Sequence, residues 1–275
     1  MSSPCLRFDS IRDLLAEVDD SRRHSVPISA KEIESIMHHL TSHVDTNDCR
    51  SGGWVTISEY ERVTFMKAKD AATGVMKTRL KLQIPQIPPQ VLFYCVKDPL
   101  VRASFDSHYR RFEVSRIHDD DLDVVISELK APVGIANREF VEWRRHHLPA
   151  FPQQKDSVVY GIALRSCEDT ECSAEVGPAL KHKVQRAETW LSGYVFRWWL
   201  DENNAILGSE VIVHTHVDPR GKIPKALVNS AAVLNPTKWV SGLTSVATSI
   251  CNEKNISVGM TDQEIESVLS IRSWK

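Results

Sequence analysis

Between Trp54 and Val217 the sequence keeps returning to one pattern, an apolar residue at every second position in short runs bounded by turn residues. Val55 and Ile57 follow it, then Leu80, Leu82 and Ile84, then Val211, Val213, Thr215 and Val217. Successive side chains of a strand point to opposite faces, so each run describes a strand with one apolar and one wetter face. Further strands are expected over 110–118, 122–130, 138–147, 158–165, 183–198 and 206–217, the first two as a hairpin around Asp119-Asp120-Asp121. Short turns and polar loops join them, with no crossover helices, which favours antiparallel pairing over a doubly wound sheet.

Helices flank this region rather than alternate with its strands. Ser29 and Glu32 make a capping box ahead of the stripe Ile33, Ile36, Met37, Leu40 and Val44. Pro88-Pro89 opens a helix carrying Val91, Leu92, Phe93 and Val96 that is expected to end near Asp98-Pro99, after which strands resume. The last long element starts at Lys222-Ile223-Pro224 and carries Leu227, Ala231 and Leu234, then Leu243, Val246, Ala247 and Ile250, with a break expected at Asn235-Pro236. Thr261 and Glu264 make a second capping box before Ile265, Val268 and Leu269, and Ile11, Leu14, Leu15 and Val18 suggest a short helix ahead of a polar linker. The fold class is α+β, a sheet whose apolar face is covered by a long amphipathic helix and can enclose a cavity.

Several function classes are disfavoured. Lysine and arginine number 34 against 36 aspartates and glutamates, so no overall basic field points to nucleic acid. Six cysteines lack paired-knuckle or CxxC spacing and read as reduced thiols, and no apolar run has the length of a membrane span, so a cytoplasmic protein is expected. No nucleophile elbow, P-loop or GxGxxG precedes a helix, which leaves hydrolase, phosphoryl-transfer and dinucleotide chemistry without their positioning devices. His214-x-His216 is the most tempting metal motif, but parity turns both rings away from the face of Val211, Val213 and Thr215, and no third ligand is evident. His39 and His43 lack the glutamate of HExxH, and His38 and His146-His147 add only isolated imidazoles. Trp198-Trp199 should straddle the sheet, one ring to each face.

Three stretches carry a family resemblance: Asn137-Arg138-Glu139-Phe140-Val141 with Arg144; Val184-Gln185-Arg186-Ala187 leading to Ser192-Gly193; and Asp218 through Asn229 (DPRGKIPKALVN). In this order, ahead of a long terminal helix, they resemble the START (StAR-related lipid-transfer) family. The resemblance implies a helix-grip fold, a curved antiparallel sheet wrapped around a C-terminal helix, with a tunnel holding one lipid. It implies a lipid-binding domain over 30–253, with 1–29 and 254–275 outside it, transient membrane contact, no cofactor and no enzymatic activity. The alternatives are an enzyme of the wider helix-grip superfamily, of cyclase or thioesterase type, and a lipid-sensing module that transfers nothing.

The resemblance also implies a site. Arg138, Phe140, Glu142 and Arg144 share one strand face, and the family makes that face the inward one. Arg144 matches an arginine inside the tunnel of sterol-binding relatives, with Glu128 or Glu142 expected as its carboxylate partner. Arg102 aligns with an arginine that contacts phosphate in phosphatidylcholine-carrying members. The aromatic positions of their choline cage correspond here to Ser127 and Thr215, Trp190 matches an aromatic lining position, Ser192 stands in place of a headgroup glutamine, and Leu129 joins the lining. A choline head is therefore disfavoured, while a sterol, a ceramide-like lipid, another phospholipid or a fatty acyl ligand stay open. The gate would lie in the loops 131–137 and 218–225, with Val133 and Ile135 dipping into the acyl boundary and Arg220, Lys222 and Lys225 facing anionic headgroups.

Overall fold

The computed structural model describes residues 27–42, 53–70, 74–131, 134–149, 159–167, 184–221 and 236–271. The expected helix before residue 19 and the segment 222–235 lie outside them. The helices are α1 (Ala30–Ser42), α2 (Pro89–Lys97), α3 (Pro99–Phe105), α4 (Pro236–Lys254) and α5 (Asp262–Leu269). The strands are β1 (Val55–Tyr60), β2 (Val63–Lys69), β3 (Met76–Pro85), β4 (Tyr109–Asp119), β5 (Leu122–Leu129), β6 (Asn137–His147), β7 (Val159–Ser166), β8 (Val184–Arg186), β9 (Glu188–Leu200) and β10 (Ile206–Asp218). They form one sheet in the order β1-β2-β3-β10-β9-β7-β6-β5-β4, antiparallel throughout this path, with β8 attached parallel to β6.

Local chemistry accounts for most element boundaries. Both capping boxes form: Ser29 and Glu32 exchange backbone-to-side-chain hydrogen bonds at 3.1 and 3.2 Å, and Thr261 and Glu264 do the same at α5. Asp98 separates α2 from α3, its carboxylate accepting from the backbone N–H of Leu100 and Val101 at 2.9 Å. The chain therefore makes a second short helix where strands were expected to resume. β2 was also not anticipated, because its sequence, Val-Thr-Phe-Met-Lys-Ala-Lys, alternates only weakly. The strand expected over 183–198 divides in two at Ala187, whose N–H turns away to the Glu139 carbonyl.

The two faces of the sheet carry different layers. On the inner face Leu80, Leu82, Ile84, Val125, Tyr160, Ile162, Phe196, Trp198 and Val211 pack against Val91, Leu92 and Phe93 of α2 and Leu243, Ala247 and Cys251 of α4. On the outer face α1 lays Ile33, Ile36, Met37 and Leu40 on Ala163, Leu191, Val195 and Ile212, with Glu32 paired to Arg165 at 2.8 Å. Trp198 is buried inward while Trp199 lies under the Arg62 guanidinium, so the tandem tryptophans do straddle the sheet.

The segment after residue 254 is built into this same core. Ile265, Leu269 and Ile271 are buried in it, Tyr160 donates its hydroxyl proton to Glu266 at 2.6 Å, and Lys97 Nζ donates to the Ile271 carbonyl at 2.6 Å. Residues 262–271 thus complete the inner layer beyond α2. Truncating a fully buried isoleucine leaves a cavity that destabilises by about 2–5 kcal/mol. Ile265→Ala should lower the urea midpoint by a corresponding amount; a midpoint equal to that of the unmodified protein would show that α5 is merely appended.

Candidate functional site

The three stretches that carry the family resemblance meet at one edge of the sheet. Glu139 pairs with Arg186 at 2.7 Å, and β8 aligns Val184, Gln185 and Arg186 with Asn137, Arg138 and Glu139. Arg138 donates to the carbonyls of Pro219 at 2.6 Å and Arg220 at 3.1 Å, holding the turn that leaves β10. Gly221 in that turn has φ +78°, a conformation that side-chain-bearing residues rarely adopt. A Cβ on Gly193 would sit 2.7 Å from the Ile162 carbonyl oxygen, so only glycine lets β9 lie this close to β7 there. These motif residues form a clasp that holds strand ends together.

Hydrogen-bond register shows how the inner face is organised. One row across the sheet runs from Asp123 through Arg144, Leu164 and Ser192 to Thr215. On one side of that row Phe196, Trp198 and Val211 are buried under α2 and α5. Ser192 and Thr215 in the row are only half-buried, as are Tyr194 and Val213 one step from it towards Phe196 and Val211, Phe112 and Val114 on its other side, and Trp239 and Val240 of α4. The inner face therefore has a filled end under α2 and α5 and an incompletely filled zone around this row, walled by apolar and aromatic groups with few polar ones, as ligand sites are.

Arg144 stands within this zone. Its Nε and Nη2 donate to the two carboxylate oxygens of Asp123 at 2.9 and 2.6 Å, and its Nη1 donates to the Lys97 carbonyl at 2.7 Å. Both partners are almost wholly buried, 1% and 0% exposed. A bidentate arrangement of this kind is what makes a buried guanidinium tolerable, and removing one partner typically costs about 3–5 kcal/mol. The partner is thus Asp123, directly opposite in register, rather than Glu128 or Glu142. Glu128 points to the other face, where its carboxylate accepts from Asn137 at 2.6 Å. Lys97 beside the pair is pushed down to about 8, by burial first and by Arg144 second, and burial holds His146 well below the usual imidazole range.

Glu142 is the other inward acid, two residues earlier on β6 and on the side of the Arg144 row away from Phe196. Its cross-strand neighbours on that face are Val125 and Ser166. Burial pushes its carboxyl up to about 7, against the opposing pull of the Thr189 hydroxyl and of Arg144. Phe140, Ser127 and Leu129 share its face.

Arg102 is buried on α3 and closes the site from the helix side. It pairs with Asp106 at 3.0 Å, donates to the Tyr194 hydroxyl at 3.1 Å, and lies over the rings of Tyr109, Phe112, Tyr194 and Trp239 at 5.3–6.0 Å. An aromatic box is present, and it encloses the protein's own guanidinium.

Other expected residues fall elsewhere. Trp190 packs its ring on His216 at 4.6 Å, and His216 shares the outer face with His214. Register shifts at this point, His216 opposing Leu191 and Val217 opposing Thr189, so Trp190 is the extra residue of a bulge and leaves the inner wall. The outward histidines agree with strand parity. In the gate loops Ile135 is half-buried and Arg220 pairs with Glu188 at 2.7 Å; Val133, Lys222 and Lys225 lie outside the described residues. Asp123, Tyr109 and Tyr194 on the strands and Lys97 at the end of α2 are not picked out in the sequence; strand register and the docking of α2 bring them in.

Comparison with known proteins agrees with this architecture. The model of the START domain family matches residues 38–245. No curated protein sequence matches the chain. Among solved structures it is similar to human STARD10, with a TM-score of 0.64 at 16% identity over 84% of each chain. It is also similar to human StAR-related lipid transfer protein 5, with a TM-score of 0.63 at 16% identity over 80% of this chain and 97% of that one. The human StarD13 (DLC2) lipid transfer and protein localization domain gives 0.53 at 16% identity, covering 78% and 96%.

The Glu142 carboxyl yields a stability prediction with a definite sign. Below the ordinary value of 4.5 it is protonated in both folded and unfolded chains; from there to about 7 only the folded chain keeps the proton, and stability is lost as pH rises. Glu142→Gln removes this loss, so its advantage should grow between pH 4.5 and pH 8, by about 3 kcal/mol on the basis of 1.36 kcal/mol per pKa unit. Melting curves across that range check it; a difference independent of pH would contradict the raised carboxyl.

Proposed function

Because the chain belongs to the START domain family, we propose that it binds a single lipid between the inner face of its sheet and helix α4, and carries that lipid between membranes. The observation that supports this best is the uneven filling of the inner face. Val114, Val213, Val240, Tyr194 and Trp239 leave apolar surface half-exposed inside the grip, while the other end of the same face is closed by α2 and α5. Burying acyl or ring carbons there removes apolar area from water at about 25 cal/mol per Å², enough to compete with a bilayer when most of a lipid is enclosed.

No helix among the described residues is long and apolar enough to cross a membrane, so membrane contact in this reading is made from the surface. The mouth is assigned to the loops 131–137 and 218–225. Arg220, already paired with Glu188, would exchange that carboxylate for a lipid phosphate on docking, and Lys222 and Lys225 would add about 1 kcal/mol each at an anionic surface.

The test is native mass spectrometry of the purified protein after exposure to extracted lipids, followed by transfer between donor and acceptor vesicles. One lipid per protein is expected. Val213→Trp, which fills the half-open end, should reduce transfer at least tenfold while the circular dichroism of the sheet is kept. A protein that emerges free of lipid, or a Val213→Trp variant that transfers at the normal rate, would contradict the reading.

A further inference from the structure

Two acids face inward from neighbouring positions, and they differ in what is left for them to do. Asp123 has both carboxylate oxygens engaged by Arg144. Glu142 has no such partner: although it is only 7% exposed, no lysine, arginine or histidine among the described residues lies within ion-pair distance of it, since Arg144 is turned to Asp123 and Lys97. The groups that act on it are Arg144 on its own strand and the Thr189 hydroxyl of β9, and Glu142 in turn acts on Tyr109 of β4. Ser166 of β7 stands opposite it, and Val125 of β5 flanks it on the other side. Its direction is fixed by strand register, which aims it into the inner face in the same row as half-buried Val114 and next to the row of Ser192 and Thr215.

A carboxyl placed in a largely apolar enclosure selects by chemistry. A hydroxyl, amide or amine supplies the hydrogen-bond donor that a desolvated carboxylate lacks, whereas a phosphate brings a second negative charge and only acceptors. We infer that the lipid's polar end is a hydrogen-bond donor without net negative charge, and that Glu142 is the group that receives it. This rests on the lipid-binding reading above and narrows it. The position of Arg102 fits the same selection, because its guanidinium fills the aromatic box and is already paired with Asp106, leaving no aromatic cage there for a quaternary ammonium.

The experiment compares two lipids that differ only at the polar end. The full chain is incubated with phosphatidylcholine vesicles containing equal amounts of a diacylglycerol and a phosphatidic acid with identical acyl chains, and the lipids retained on the re-isolated protein are quantified by mass spectrometry. At pH 8 retained diacylglycerol should exceed phosphatidic acid at least tenfold. Glu142→Gln, whose amide still bonds a hydroxyl but carries no charge, should cut that preference about tenfold by admitting phosphatidic acid. At pH 5.5, where the carboxyl is protonated, the two proteins should behave alike. Preference of the unmodified protein for phosphatidic acid or phosphatidylcholine at pH 8, or a preference that Glu142→Gln leaves unchanged, overturns the inference and leaves lipid binding standing. Retention of no lipid of any class overturns both.

Discussion

A guanidinium in a dry interior must have its acceptors supplied by the protein, and in this fold Arg144 takes three of them from two elements at once. Asp123 on β5 provides both carboxylate oxygens and the C-terminal end of α2 provides the Lys97 carbonyl. Satisfying all three requires the β5–β6 register to be correct and α2 to end over that point of the sheet. Lys97 then reaches the Ile271 carbonyl with its own ammonium group, so the last described residue of the chain is tied to the same network. A slip of one residue in β6 would turn Arg144 outward and leave Asp123 charged and alone, an outcome unfavourable by several kcal/mol. The pair contributes position more than net stability, since a well-packed apolar replacement is often as stable.

The inner face to which this network belongs has two territories. At the end of Phe196 and Trp198, aromatic and aliphatic residues of the sheet are closed over by α2 and α5; around the row of Arg144, from Tyr194 and Val213 to Val114, comparable residues stay half-buried. Of the polar groups there, Arg144 with Asp123, and Arg102 with Asp106 and Tyr194, are internally satisfied. Glu142 remains the group whose chemistry a ligand would complete.

Much of this was legible in the sequence, and the parts that were not share a cause. Strand alternation correctly sent His214 and His216 outward and grouped Phe140, Glu142 and Arg144 on one face, because a period of two is set by backbone geometry, and the family resemblance made that face the inward one. The capping boxes at Ser29 and Thr261 were visible because their reach is three residues. What needed information from elsewhere in the chain was out of reach. Asp123 is opposite Arg144 only through the pairing of two strands whose connecting loop does not set the register. Trp190 left the inner wall because a bulge added one residue and reversed the alternation at that point. The motif residues Arg138, Glu139 and Arg186, which carried the family resemblance, bind one another and the turn after β10. Their contacts hold the fold together.

The claim on which the rest depends is that a lipid occupies the half-filled inner face. Methyl-labelled protein loaded with a deuterium-free lipid allows intermolecular nuclear Overhauser effects to be read between the acyl or ring protons and individual valine and isoleucine methyls. Cross-peaks are predicted to Val114, Val213 and Val240, with none to Val141 or Ile212 on the outer face. Contacts confined to the outer-face methyls, or none to the inner three in a protein shown to be loaded, would contradict the account.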